Sequence, residues 1–247
     1  MKTLVVSCTR GDFLDTELYN SLLKYNVYTC ANMARTDDPD TSYMKGNKFS
    51  LYIKTNNTSH LAKIYNEGKR VAIEDGYDTV IFAHDDVSIQ DTFIKDKLTT
   101  AFESYSVVGL AGAVTIRPEK RPCLWHLMSN QDEWRGAVAH KAVQADREFF
   151  GWSQYGVIPD RVLVIDGLFI ACNVKALKDA EVGFDEWIPH GGFHHYDMIF
   201  CLAANKAGLK IGVAPIWVVH NSPGLLKKDD AYHESENYFL KKSKVYL

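Results

Sequence analysis

Short apolar runs alternate with amphipathic segments through the first half of the chain. The apolar runs have the length and β-branched content of buried strands, and they cover residues 4–8, 27–31, 49–54, 79–89 and 107–114. Between several of these runs, apolar residues recur at helical spacing, over residues 15–25, 61–72 and 94–105. Because strands that alternate with helices pair in parallel, we predict a doubly wound, mostly parallel α/β sheet flanked by helices.

Residues that favour caps and turns mark the ends of the predicted elements. Thr58 or Ser59 would cap the helix that ends before Gly76, and Asp91 would cap the next helix. Residues 35–48 contain several aspartates, a proline and a glycine, which predicts a loop.

The regular pattern fails between residues 115 and 160. This segment mixes prolines, tryptophans and charges, so we expect an irregular insertion that covers one edge of the sheet. The buried pattern resumes at residues 162–173, a buried helix is expected from about Phe193 to Gly208, and a last strand follows at 209–219. The lysine-rich tail from Leu225 would either fold over the site or fray.

Length and composition favour an ordinary globular protein. The chain has 247 residues, of which 46% are hydrophobic and 24% charged, and no linker divides it. We therefore expect one domain over residues 1–247. The formal charge of -3 provides no basic excess, so no nucleic-acid partner is predicted.

The cysteines and the lengths of the apolar runs also indicate where in the cell the protein is expected. The five cysteines are odd in number and far apart, which indicates reduced thiols in a cytoplasmic protein. The apolar run before Arg10 is too short for a secretory signal. No apolar stretch approaches the roughly 20 residues of a transmembrane helix.

The apolar run over residues 79–89 is interrupted by three polar residues, His84, Asp85 and Asp86. Ligands of open α/β sheets bind where such strands end. Adjacent carboxylates beside a histidine suit Mg²⁺ or Mn²⁺ and, through the metal, a diphosphate. The same aspartates could instead open a turn or cap the following helix, and the local sequence leaves both possibilities open.

Three further polar interruptions, Asp166, Asp197 and His220, are expected at the same sheet edge. The motifs around these positions are YNEG (65–68), HDDV (84–87), IDG (165–167), GFDE (183–186), HYD (195–197) and VVHNSPG (218–224). In order and spacing, over about residues 60–224, they resemble the GT-A fold glycosyltransferases of the family 2-like group.

The resemblance implies a nucleotide-binding half over residues 1–114 and an acceptor half over 115–224, with the insertion at 115–160 and a C-terminal tail at 225–247. HDD occupies the place of the family's DXD motif. Asp86 is then the expected metal ligand, together with His84 and His220, and Asp85 would lie toward the ribose or also near the metal. A histidine at the first position tolerates Mn²⁺ better than Mg²⁺. Taken alone, His220 would be explained better as a core or turn histidine than as a metal ligand.

The resemblance also implies a reaction. A sugar moves from a nucleotide diphosphate, expected to be UDP, to a hydroxyl acceptor such as a saccharide, with inversion of configuration. Asp197 matches the family's base, and its place near a helix N-terminus would keep it ionised. Asp166 and Gly167 would lie near the donor sugar or the acceptor, Gly167 allowing close approach of the backbone. Tyr196 stands where an acid is usual.

Other residues have weaker assignments. By resemblance, Lys63 and Asn66 would face the nucleotide, although Tyr65 replaces an arginine that is frequent there. Aromatic side chains could stack on a sugar or pack in the core; these are Trp125, Trp134, Trp152 and Trp187.

Three alternatives remain open. The chain could be a protein that has lost catalytic activity but still binds a nucleotide or a nucleotide sugar. His84 and Tyr65 would then mark the decayed catalytic site. It could be a nucleotidyltransferase, although a glycine-rich phosphate loop is missing from the sequence. A zinc site at His190, His194 and His195 is disfavoured by the glycine pair between the first two.

Overall fold

The computed structural model describes residues 1–26, 28–29, 40–58, 60–144, 147–222 and 228–247. In its first half, three helices accompany the strands; these are α1 (Glu17–Leu23), α2 (Leu61–Glu74) and α3 (Ile94–Phe102). The strands are β1 (Thr3–Cys8), β2 (Tyr28–Thr29), β3 (Thr41–Gly46), β4 (Phe49–Lys54), β5 (Thr79–Ala83), β6 (Val87–Ile89), β7 (Val107–Gly109) and β8 (Ala111–Ala113).

The second half continues the alternation less regularly. Its strands are β9 (Trp134–Gln144), β10 (Arg147–Gln154), β11 (Asp160–Val162), β12 (Val164–Ile165), β13 (Phe169–Asn173), β14 (Ile211–Val213) and β15 (Val218–His220). Its helices are α4 (Val174–Asp179), α5 (Tyr196–Lys206) and α6 (Asp230–Tyr246).

The larger sheet has nine described strands in the order β11-β14-β7-β13-β5-β1-β4-β3-β2. Parallel pairing joins β1 to both β4 and β5, and β7 to β14. The α/β class is therefore confirmed, but the sheet is mixed because β13 runs antiparallel between β5 and β7. The short turn between β3 and β4 likewise imposes antiparallel pairing.

A smaller sheet has the order β12-β8-β9-β15-β6, with β10 paired to β9. The apolar runs predicted at 79–89, 107–114 and 209–219 each divide into two strands, one in each sheet. The polar residues His84 to Asp86 and Asp166 to Gly167 lie where the chain crosses from one sheet to the other. The junction between the sheets therefore collects the polar groups.

Several predicted boundaries were wrong. The insertion at 115–160 contains the long hairpin of β9 and β10, and the loop predicted at 35–48 contains β3. His60 rather than Thr58 is the N-cap of α2, and Ser59 lies outside the described residues. Asp91 accepts the backbone N–H of Phe93, which is the N-cap of α3. Of the strand predicted at 27–31, only residues 28–29 are described.

The tail forms the long helix α6, which packs on α5; residues 223–227 before it lie outside the described part of the chain. Its Glu236 is buried, accepts the backbone N–H of Cys123 at 2.7 Å and lies 3.3 Å from Arg121. At the other end of the helix, Lys242 contacts Asp185 at 2.7 Å. The tail therefore fixes two loops of the second half.

A continuous apolar core lies between the larger sheet and its helices. Gly68 lets α2 approach β1, since an added Cβ would lie 2.4 Å from Val6. Behind the polar junction the core is aromatic, with Phe184 stacked on Phe200 at 4.4 Å and Tyr65 at 5.0 Å from Phe82. This rigid base supports the loops that carry the polar residues.

Two other expectations concern cysteines and membranes. Cys8, Cys123, Cys172 and Cys201 are free thiols, and Cys30 lies outside the described residues. In the described part of the chain, no helix combines the length and the apolar character required to cross a bilayer.

Candidate functional site

A cavity of about 780 Å³ opens at the junction of the two sheets. Five of the residues predicted to bind the metal or the donor or to act as the base line it, namely His84, Asp166, Gly167, Asp197 and His220. Its wall is completed by basic and aromatic side chains, among them Arg10, Trp125, His126, His140, Phe193 and Tyr232. We refer to it as the central cavity.

His84, Asp86 and His220 form a compact group beside this cavity. His84 and Asp86 lie in the turn between β5 and β6, and His220 ends β15, which pairs with β6. Asp86 Oδ1 lies 3.4 Å from His220 Nε2 and 3.9 Å from His84 Nδ1. One potential ligand atom from each of the three residues lies within 4.8 Å of the other two. The three side chains predicted as metal ligands are therefore brought together.

The charges of this group are balanced internally. Burial alone would raise the pKa of Asp86, but contacts with His220 and His84 lower it. Burial would lower the pKa of His220, and Asp86 with Asp166 raises it instead. Burial lowers the pKa of His84, partly opposed by Asp86. The contacts within the group thus lower the pKa of Asp86 and raise that of His220, while burial lowers that of His84.

The group fits a divalent metal ion. Asp86 Oδ1 is buried and has no hydrogen-bond partner among the described residues, and a buried carboxylate oxygen without a partner is energetically costly. Two imidazole nitrogens and one carboxylate oxygen suit Mn²⁺ and other transition metals better than Mg²⁺. Bringing a cation to this oxygen would remove the cost.

Tyr196 links this group to the Asp166 loop. Its hydroxyl lies 2.7 Å from His84 Nε2 and donates a hydrogen bond to the carbonyl oxygen of Gly167 at 2.9 Å. A Cβ added at Gly167 would lie 2.3 Å from the Tyr196 hydroxyl. We expected the absence of a side chain at Gly167 to allow a ligand to approach the backbone. In the structure, the group that needs this space is the Tyr196 hydroxyl.

Asp197 and Asp166 line the same cavity, and the charge of Asp166 acts on Asp197. Burial, with the negative charge of Asp166, raises the pKa of Asp197 to about 7, although the backbone N–H of Met198 donates to its carboxylate at 2.8 Å. The prediction that the helix N-terminus keeps Asp197 fully ionised is therefore wrong, because desolvation outweighs the hydrogen bonds from the first turn. A pKa near 7 suits a group that takes up a proton near neutral pH.

Of the four tryptophans proposed to stack on a sugar, one lines the cavity. Trp125 is buried and donates its indole N–H to Asp166 at 2.9 Å. Trp134 packs against it, with ring centroids 6.1 Å apart. Trp152 and Trp187 are exposed and lie outside the lining of the central cavity. Hydrogen bonding and packing thus account for the first two.

Three predicted nucleotide contacts lie outside this lining. Asn66 accepts the backbone N–H of Phe184 at 2.9 Å and donates to Glu186, so it holds the GFDE loop. Lys63 is exposed on α2. The charge of Asp85 contributes to the raised pKa of Cys8, which places Asp85 toward β1. The structure therefore gives Asn66 a structural role, and it includes neither Lys63 nor Asp85 in the group of potential metal ligands.

The alternative zinc histidines do not converge. His190 Nε2 contacts Glu234 at 2.9 Å, and His195 Nδ1 lies 3.1 Å from Ser235 Oγ. Within the described ranges, the one group of three or more potential metal ligands is the His84 group. These histidines instead attach their loop to α6.

Several cavity residues were missed by the sequence interpretation. Arg10 follows β1, and its guanidinium lies 4.8 Å from the Phe193 ring centroid. His140 lies on the hairpin predicted to be irregular, 5.8 Å from His220 between ring centroids. The polar residues that follow β1 could have identified Arg10 as a candidate site residue. No local signal identified His140, because its position depends on β9 pairing with β15.

No curated protein matches the chain. Among solved structures, S. aureus TarS is 14% identical with a TM-score of 0.50, over 98% of this chain and 43% of TarS. A TarS structure in complex with UDP-GlcNAc is 17% identical with a TM-score of 0.48, over 98% and 66%. A protein from STIV is 13% identical with a TM-score of 0.48, over 87% and 82%. The chain thus spans less than half of the longer TarS chain.

The family assignment rests on the sequence profile rather than on these distant structures. The profile of the glycosyltransferase-like family matches residues 48–243, which include every polar residue of the sheet junction. This match and the mixed α/β architecture bear out the expected resemblance and the GT-A fold class. The chain belongs to the glycosyltransferase-like family, of the family 2-like type.

Proposed function

We propose that this protein is a metal-dependent glycosyltransferase that moves a sugar from a UDP-sugar to a hydroxyl acceptor with inversion of configuration. The observation that carries the proposal is that one cavity is lined by two members of the metal-ligand group, His84 and His220, and by Asp197, whose pKa is raised to about 7. Donor activation and removal of the acceptor proton require these two functions together.

Asp197 is the proposed base. Its carboxylate lines the central cavity at the start of α5. At neutral pH a large fraction is deprotonated and able to accept the hydroxyl proton of an acceptor as the new glycosidic bond forms. Because a base of this kind activates the acceptor directly, a single displacement and inversion are the expected outcome.

His84, Asp86 and His220 are the residues that would hold the metal. When bound, a divalent cation supplies positive charge that stabilises the departing nucleotide diphosphate. Asp166 is held by the N–H groups of Trp125 and Leu168. Its charge raises the pKa of Asp197, and in this proposal it contacts a sugar hydroxyl of the substrate.

The proposal includes the division of the chain. Residues 1–247 would act as one domain, in which residues 1–114 bind the nucleotide and 115–224 bind the acceptor. The tail 225–247 supports this acceptor half, since α6 holds the loops at Cys123 and Asp185.

The test is release of UDP from a set of UDP-sugars, with Mn²⁺ or with chelator, and with simple saccharides as acceptors. We expect metal-dependent release, a loss of at least about 100-fold in Asp197→Asn, and normal release in Asp96→Asn, which changes an exposed carboxylate on α3. Binding of UDP without turnover of any donor would instead support the decayed nucleotide-binding protein. Equal turnover in Asp197→Asn would overturn the base assignment.

A further inference from the structure

The contacts of Tyr196 constrain where the protons of His84 lie. The carbonyl oxygen of Gly167 can only accept a hydrogen bond, so the Tyr196 hydroxyl proton points to it, over 2.9 Å. That hydroxyl then has lone pairs but no further proton for His84 Nε2, which lies 2.7 Å away. Both contacts are hydrogen bonds only if Nε2 of His84 carries a proton and donates it to Tyr196.

A second observation concerns the other ring nitrogen. His84 Nδ1 lies 3.9 Å from Asp86 Oδ1, which is too long for a hydrogen bond. Asp86 Oδ1 itself is buried and lacks a hydrogen-bond partner in the described part of the chain. In an uncharged ring, a proton on Nε2 leaves the lone pair on Nδ1, on the side of Asp86.

We infer that Tyr196 is a positioning residue: it accepts a hydrogen bond from a proton-bearing Nε2 of His84 and so leaves Nδ1, on the side of Asp86, to bind a metal. The inference rests on the metal site of the proposed function. A ligating histidine commonly donates its other ring N–H to a fixed acceptor, which sets both tautomer and ring orientation. Here a tyrosine hydroxyl, itself held by a backbone carbonyl, provides that acceptor.

Packing makes this acceptor rigid. Tyr196 is buried in the first turn of α5, and its ring lies 5.8 Å from Tyr65 and 6.1 Å from Phe184 between centroids. The hydroxyl therefore cannot leave His84 without disturbing an aromatic cluster. A Tyr196→Phe variant keeps these ring contacts and removes only the hydroxyl, with its hydrogen bonds to His84 and to the Gly167 carbonyl.

The matched control is Tyr77→Phe. Tyr77 and Tyr43 share a buried 2.6 Å hydrogen bond near the start of β5, at the opposite end of that strand from His84. This variant also loses one buried tyrosine hydroxyl. It therefore separates a general loss of stability from a specific effect on His84.

The first measurement is the tautomer of His84 in the metal-free protein, from long-range ¹H–¹⁵N spectra of ¹⁵N-histidine-labelled protein. His84→Asn identifies the His84 signals among the nine histidines. We expect protonated Nε2 and unprotonated Nδ1 in the parent and in Tyr77→Phe, and a mixture of tautomers in Tyr196→Phe. A protonated Nδ1 in the parent, or an unchanged tautomer in Tyr196→Phe, would overturn the inference.

The second measurement is Mn²⁺ affinity, followed by the electron paramagnetic resonance signal of free Mn²⁺. We expect Tyr196→Phe to bind Mn²⁺ about 10- to 100-fold more weakly than the parent, and Tyr77→Phe to bind it normally. Equal affinity in Tyr196→Phe and the parent would refute the role of Tyr196 while leaving the proposed function intact. A parent that binds no Mn²⁺ would refute the metal dependence in the proposed function itself.

Discussion

The carboxylates of Asp166 and Asp197 line one cavity, and the charge of the first raises the pKa of the second in addition to the effect of burial. Trp125 and the backbone of Leu168 donate hydrogen bonds to Asp166 and hold its carboxylate in place. The pair therefore combines a carboxylate held by hydrogen bonds with one that titrates near neutrality.

This arrangement predicts the pH dependence of the transfer reaction. The rate should rise with pH through about 7 as Asp197 loses its proton. Asp166→Asn removes a nearby negative charge, so the pKa of Asp197 falls and the acidic limb of kcat/KM should move to lower pH. The quantity to be measured is the pH at the midpoint of the acidic limb, and not the maximal value of kcat/KM. An unmoved limb in Asp166→Asn would show that Asp166 does not set the basicity of Asp197.

Ionisation of Asp197 should lower the stability of the folded protein, whereas ionisation of an ordinary salt-bridged aspartate raises it. Its pKa is higher in the folded protein, about 7, than the usual value of 3.8. The folded state thus binds more protons between these values, and stability falls as pH rises through this range. We expect Asp197→Asn to raise Tm relative to the parent at pH 8 and to lose this advantage below about pH 4. A pH-independent difference in Tm would contradict the buried-carboxylate explanation.

Arg10 should contribute to donor affinity. It lines the central cavity, is stacked on Phe193, and has no carboxylate at ion-pair distance among the described residues. A charge-assisted hydrogen bond to an anionic donor is typically worth about 1.5–3 kcal/mol, so Arg10→Gln should weaken UDP binding roughly 10- to 100-fold. Isothermal titration measures this directly. Arg161→Gln, at an exposed arginine on β11, is the control and should bind UDP as the parent does.

Gly167 should tolerate no side chain. The Cβ of Gly167→Ala would lie 2.3 Å from the Tyr196 hydroxyl, and relief of such a clash typically costs about 1–3 kcal/mol. We expect a corresponding decrease in the free energy of unfolding, measured with urea. Gly151→Ala is the matched variant, because nothing lies within 4 Å of its added Cβ. Equal stability of the two variants would argue against the close contact.

Glu236 should anchor the C-terminal helix. Glu236→Ala leaves the buried N–H of Cys123 without its acceptor, which typically costs about 1–3 kcal/mol. On the same helix, Glu234 is largely exposed and contacts only His190 among the described residues. Its substitution by alanine should cost less than about 0.5 kcal/mol. Urea unfolding of both variants tests whether α6 is fixed through the buried residue.

Strand positions were predicted best where burial alone decides them. β4 matches its predicted bounds, and β1 and α5 were correctly located, because apolar periodicity and a terminal glycine suffice to define such elements. The hairpin of β9 and β10 was missed. Its charges and aromatic residues obscure the alternation, and its pairing depends on partners far away in sequence.

The sequence by itself determined the α/β class, the family resemblance and the identity of the polar residues at the strand ends, since these follow from local pattern and motif order. Only the tertiary structure decided which of those residues meet. It brought His84, Asp86 and His220 together by pairing β15 with β6. It also assigned Asn66 to a structural contact and raised the pKa of Asp197. Distances and desolvation are properties of residues remote in sequence, and no local pattern encodes them.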